Sequence, residues 1–255
     1  MKPINSTFTF TFGDCAENHK GMEMLGTRGA VGSGFTPADL LEIQGRFLKA
    51  GATCEYYDLS SRADLPAAVL VLKKGVQAAL EIDTAAWFKE QAALDVDKKA
   101  FMRGAVKNKK ARWNLCFDEE GHEPDYEKGK GRVVAYRDMP LTRQWVEAMP
   151  LWFGPKAVGL KGEANYYYDI SKCGIGYHGD SERRKVVAVR LGAPLPLYFQ
   201  WYHRSAPVGA RIEVPLEDGD VYVMSEKAVG TDWMSSSQLT LRHATGSKDY
   251  TTVKA

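Results

Sequence analysis

Thr7 to Phe12 alternates Thr and Phe, the period-2 pattern of a half-buried strand. Thr36-Pro37-Ala38-Asp39 marks a helix start, with Thr as N-cap, Pro at the first helical position and an acid in the first turn. Leu40, Ile43 and Phe47 then share one face, so the helix is predicted to run to Ala50 and stop at Gly51. Strands are predicted from Thr53 to Leu59 and from Ala68 to Leu72, and a helix from Thr84 to about Arg103 with Trp87 and Phe88 as core anchors. Leu141 to Met149 predicts a short amphipathic helix with Trp145 inward, ended by Pro150, with Trp152 and Phe153 packing beneath the domain that follows. From Ala157 onward the pattern changes to short segments rich in β-branched and aromatic residues, separated by Gly/Pro turns. These include Val186 to Leu191, Leu216 to Ser225 and Leu239 to His243, and they argue for an antiparallel barrel or jelly roll.

A chain of 255 residues is long enough for a sizeable core. The expected organisation is α+β: a jelly-roll core over residues 111–255 and an N-terminal α/β extension, residues 1–110, packed on it as one compact unit. A formal charge of +2 excludes a strongly basic coat for nucleic acid but leaves room for a local basic groove. Cys15, Cys54, Cys116 and Cys173 are scattered without a CxxC, which favours reduced thiols in an intracellular protein over disulfides or structural zinc. The first residues lack the apolar run of a signal peptide, and no stretch approaches the roughly 20 apolar residues of a membrane helix, so a soluble intracellular protein is expected.

The chemistry concentrates between Asn165 and Arg184. His178-Gly179-Asp180 places an imidazole and a carboxylate one residue apart, two thirds of a 2-His-1-carboxylate set; taken alone it equally suits a polar surface turn. Around it stand Asn165, Tyr167, the run Gly174-Ile175-Gly176-Tyr177, then Glu182, the Gly219-Asp220 turn and Leu239-Thr240-Leu241-Arg242. In parts and order, residues 112 to 250 resemble the AlkB-like branch of the Fe(II)/2-oxoglutarate dioxygenases. That resemblance implies a double-stranded β-helix (jelly-roll) barrel, Fe(II) and 2-oxoglutarate as cofactors, and hydroxylation or oxidative demethylation of a modified base in DNA or RNA. It implies His178 and Asp180 as iron ligands, with Asn165 and Tyr167 on the 2-oxoglutarate.

The family position of the second histidine holds Ser235, which leaves His243 as the imidazole downstream and the expected third ligand. The basic partner of the far carboxylate of 2-oxoglutarate is then Lys248, on a last strand returning from Asp249 to Lys254, or Arg242. Arg183, Arg184, Trp233 and Tyr126 are the expected substrate contacts. The positive run Lys98, Lys99, Arg103, Lys107, Lys109, Lys110 and Arg112 reads as a phosphate-backbone track or as a solvated helix face and loop. The segment Gly13 to Gly21 reads as a loop in which His19 is solvated, His203 reads as structural, and the glycines from Gly26 to Gly34 match no phosphate loop. Two alternatives remain at this point: a protein or small-molecule hydroxylase on the same barrel, and a non-catalytic barrel without a complete metal triad.

Overall fold

The computed structural model describes residues 5–61 and 64–253. The fold is mixed α+β and dominated by strands. An eight-stranded sheet runs in the order Thr53–Asp58, Ala68–Lys73, Val221–Met224, Val186–Gly192, Thr7–Gly13, Lys161–Tyr167, Trp113–Asp118, Val133–Ala135. Every neighbouring pair is antiparallel except the last, which is parallel. A four-stranded antiparallel sheet has the order Gly174–His178, Thr240–Gly246, Leu197–His203, Ala206–Val214.

The Thr/Phe alternation of the first strand sorts the two faces of the large sheet. Phe8, Phe10 and Phe12 point into one core with Trp87, Trp145 and Phe153, the anchors of the helices Thr84–Ala92 and Pro140–Phe153. Leu40, Ile43 and Phe47 of the helix Pro37–Lys49 join them, and that helix starts with the expected Thr36/Asp39 capping box. The opposite face packs on the small sheet through Val69, Val71, Val186, Tyr222 and Met224 against Leu197, Phe199, Trp201 and Leu241. Helices, large sheet and small sheet therefore form three layers. Among the described residues no helix is long and apolar enough to cross a membrane.

Four expectations are corrected by this architecture. The N-terminal 110 residues are not an appendage, because the strand at residues 7–13 lies between Lys161–Tyr167 and Val186–Gly192 in the middle of the sheet. The helix from Thr84 ends at Ala92. The following chain forms a hairpin, Lys99–Met102 with Ala105–Asn108, because Arg103 (φ 52°) and Gly104 (φ 77°) make a tight two-residue turn of the kind that matches strand twist. Pro150 does not stop its helix. The missing N–H is tolerated while the helix continues to bury Phe153 and to set Trp152 against Phe47, ring centres 4.6 Å apart and tilted at 41°, and Gly154 at φ 82° ends it. Finally, the chain after His243 does not return as a strand: residues Lys248–Thr251 form a short helix, and Lys254 lies outside the described residues.

Phe10 is wholly buried between Phe12, Trp87 and Phe117. Phe10→Ala is expected to destabilise the protein by about 3–5 kcal/mol in urea denaturation. A protein made of residues 111–255 alone is expected not to unfold cooperatively, since it lacks the centre of its larger sheet.

Candidate metal centre

The site forms where the strand Gly174–His178 runs beside Thr240–Gly246. The register sets His178 opposite His243, after an irregularity that follows Ile175. Their ring centroids lie 4.5 Å apart. Asp180 returns to the same point through a turn that only glycine permits: a Cβ on Gly179 would collide with the Gly230 carbonyl, and the Asp180 amide donates to Val229 O at 3.0 Å. Asp180 Oδ1 then lies 3.5 Å from His178 Nε2 and 3.4 Å from His243 Nε2. Adjacent donors on an octahedral ion with bonds of ~2.1 Å are separated by about 3 Å, so small side-chain adjustments close this set on one cation. All three donor atoms lie within 4.8 Å of one another.

The protonation states favour a metal. His178 Nδ1 faces the carbonyl oxygens of Gly176 (2.8 Å) and His243 (3.1 Å), which places the proton on Nδ1 and the lone pair on Nε2. Burial, and then the neighbouring His243, push the His178 pKa down to about 3, with Asp180 pulling the other way. For Asp180, burial alone would raise the pKa, but the Arg183 guanidinium and the two imidazoles hold it below the usual carboxylate range. Arg183, itself buried, reaches Asp180 Oδ2 at 3.5 Å and also pairs with Glu163 and Glu182. It keeps the Asp180 carboxylate oriented with Oδ1 toward the imidazoles. The result is two imidazole nitrogens, that of His178 neutral, and one fixed anion on one side of a cavity, the donor set suited to Fe(II), Mn(II) or a similar ion.

The cavity beside these donors measures about 640 Å³. Its walls come from Thr9 and Thr11 of the first strand, Asn165 and Tyr167, Arg112, and Trp233, with Glu17 and His19 also lining it. No known family profile matches the chain. It is similar to an uncharacterized protein of Acanthamoeba polyphaga mimivirus, 45% identical over 253 residues that cover 96% of this chain and 98% of that protein. The chain belongs to the same family as this viral protein.

The site residues expected from sequence divide sharply. His178, Asp180 and His243 meet, and Asn165, Tyr167, Arg183 and Trp233 line the cavity. Asn165 is committed on both sides, accepting from Arg112 Nε at 2.6 Å and donating to Glu163 at 2.9 Å. Ser235 sits in the turn after Asp232 and is not among the cavity residues.

Neither basic residue expected to hold the far carboxylate, Arg242 or Lys248, reaches the cavity. Strand alternation turns His243 and Thr245 inward and Arg242 outward, where its guanidinium lies 4.2 Å from the ring centre of Tyr202 and 5.3 Å from that of Trp233. Lys248 is exposed on the terminal helix. Arg184 is turned away, paired with Glu226 at 2.9 Å and with Gly29 O. Tyr126 is pinned to Asp97 at 2.5 Å, outside the cavity. Lys109, the centre of the basic run, is nearly enclosed by Asn18 and Asn114, and burial pushes its pKa down to about 8.

Three cavity neighbours escaped the sequence. Glu17 and His19 sit in a segment read as solvated loop that instead forms a hairpin, Cys15–Glu17 with Met24–Gly26, folded over the opening. Burial, with Lys109 and Arg112 nearby, lowers the His19 pKa. Burial pushes Glu17 up to about 6. Arg190 is the third, and an arginine amid the apolar run Val186 to Leu191 was a signal in plain view.

Because the unfolded His178 imidazole takes up a proton below about pH 6.5 while the folded one stays neutral, this group withdraws stability as pH falls from there toward 3. Imidazole nitrogen NMR of the metal-free protein is expected to find His178 neutral at pH 5; half-protonation near 6.5 would contradict the buried, carbonyl-bonded state. His243→Ala is expected to weaken Mn(II) or Co(II) binding by about 100-fold or more in calorimetry, with the fold retained.

Proposed function

We propose that the protein is an Fe(II)- and 2-oxoglutarate-dependent oxygenase on a double-stranded β-helix whose strand order is circularly permuted. The observation that carries this reading is the convergence of His178, Asp180 and His243 beside a cavity large enough for a small co-substrate and part of a substrate. Strand placement supports the jelly roll. The strands starting at residues 161, 174, 186, 197, 206, 221 and 240 supply seven strands in chain order, divided between the two sheets. A jelly roll needs an eighth that closes beside the first. That place, next to Lys161–Tyr167, is taken by Thr7–Gly13, in keeping with the helix that Lys248–Thr251 forms after the His243 strand.

Fe(II) bound by this triad, with 2-oxoglutarate and dioxygen, supplies an oxidant strong enough to break a substrate C–H bond. The residues prepare the site for it. His178 and His243 offer imidazole nitrogens, Asp180 offers a charge, and Arg183 keeps that carboxylate in place. The segment from Glu17 to Gly21 and Trp233 flank the cavity, and Lys20 Nζ approaches Met234 Sδ at 3.7 Å. Trp233, held by Ser181 at 2.9 Å and backed by Arg242, offers a planar surface for a flipped base, in keeping with a nucleic-acid substrate. A protein or small-molecule substrate is the second reading. It is favoured by the placement of Tyr126, Arg184 and Lys109 away from the cavity and by the acidic Glu17 and Glu182 within it.

The expected result with Fe(II), ascorbate and 2-oxoglutarate is succinate release that His178→Ala and Asp180→Ala reduce to the metal-free level; release unchanged in either variant would refute the iron assignment. Methylated oligonucleotides that stimulate release, together with salt-sensitive retention on single-stranded DNA or RNA, would select the nucleic-acid substrate. Stimulation by peptides or small molecules alone would select the second.

A further inference from the structure

Arg190 occupies the middle of the strand Val186–Gly192 and is wholly buried. Its Nη1 donates to Thr9 Oγ1 on the neighbouring first strand, across the pair that sets Thr9 opposite Arg190. Its Nε and Nη2 have no acceptor among the described residues. The carboxylate closest to it in charge interaction, Asp220, is already engaged by Lys73, by the Lys74 amide and by the Glu217 amide. The other groups that act on the guanidinium are the phenols of Tyr222 and Tyr167. Thr9, Tyr167 and Tyr222 all line the metal-side cavity, so the unpaired edge of Arg190 lies behind its large-sheet wall. A buried guanidinium with two unpartnered nitrogens, whose nearest carboxylate is shared with other donors, is costly, and an anion reaching it from the cavity would complete it.

We propose that Arg190, with the Thr9 hydroxyl beside it, holds the carboxylate of the co-substrate that lies farthest from the metal, so that the site selects a dicarboxylic 2-oxo acid over a monocarboxylic one. This rests on the oxygenase reading and departs from the layout that the resemblance implied, in which the basic partner follows the second histidine. The departure has a structural reason. The closing position of the sheet is filled by Thr7–Gly13, whose inward residues are threonines, so the cation comes from the strand next to it. Arg242 faces outward and Lys248 is exposed, and neither competes. The planar fork of Arg190 matches a carboxylate in a way that a lysine does not.

Calorimetry on the Mn(II)-loaded protein tests this with 2-oxoglutarate and 2-oxopentanoate, which share the metal-binding end and chain length and differ in the far carboxylate. The wild-type protein is expected to prefer 2-oxoglutarate by about 100-fold, the scale of two charge-assisted hydrogen bonds. Arg190→Met is expected to abolish the preference, leaving Mn(II) affinity and 2-oxopentanoate binding unchanged, with Arg190→Lys recovering part of it and Lys248→Ala none the worse. Tight 2-oxoglutarate binding by Arg190→Met, or a wild-type protein that binds both acids equally, would overturn the Arg190 assignment and leave the oxygenase reading standing. A wild-type protein that binds Mn(II) but neither acid would overturn both. If Arg190→Met does not fold, Arg190→Lys and the wild-type comparison decide.

Discussion

The structure depends on one insertion: Thr7–Gly13 pairs along its length with Lys161–Tyr167 on one side and with Val186–Gly192 on the other. Its phenylalanines close the core beneath the helices, and its threonines close the wall of the cavity on the opposite face. Without it the large sheet would be split, Lys161–Tyr167 and Val186–Gly192 would each lose a neighbour, and Arg190 would lose its hydrogen-bond partner. Fold and site are therefore built by the same seven residues, although none of them is a metal donor.

The candidate metal centre rests on a different constraint, the register of two strands in the small sheet. His178 and His243 are 65 residues apart in sequence and directly opposite in the ladder. A slip of one residue would send one imidazole to the outer face, where Arg242 now stacks on Tyr202. Gly179 then allows Asp180 to turn back toward both rings, and Arg183 fixes its carboxylate. The charge balance is local: three carboxylates surround one guanidinium, and burial keeps the His178 imidazole neutral.

Local signals in the sequence were legible where chemistry is short-range. The Thr36 cap, the alternation of residues 7–12 and the His178-x-Asp180 spacing each describe contacts within a few residues, and the structure contains all three, although the strand at residues 7–13 is buried on both faces rather than half-buried, because the small sheet covers its threonine side. His243 followed from the scarcity of histidines. What could not be read was long-range placement. Nothing local says that residues 7–13 pair with strands some 150 and 180 residues away, and without that fact the pattern places a last strand after His243 and makes Lys248 the anion partner. The same blindness put Tyr126 and Arg184 at the cavity when ion pairs and hydrogen bonds hold them elsewhere. Arg190 was visible as a charge in an apolar strand, but its meaning needed the cavity behind it.

The most direct measurement is anomalous diffraction from crystals loaded with Mn(II). The account predicts a single strong peak within about 2.3 Å of His178 Nε2, Asp180 Oδ1 and His243 Nε2, with the remaining coordination positions facing the cavity. A peak bound elsewhere, or one that leaves the His243 imidazole out of the coordination sphere, would contradict it.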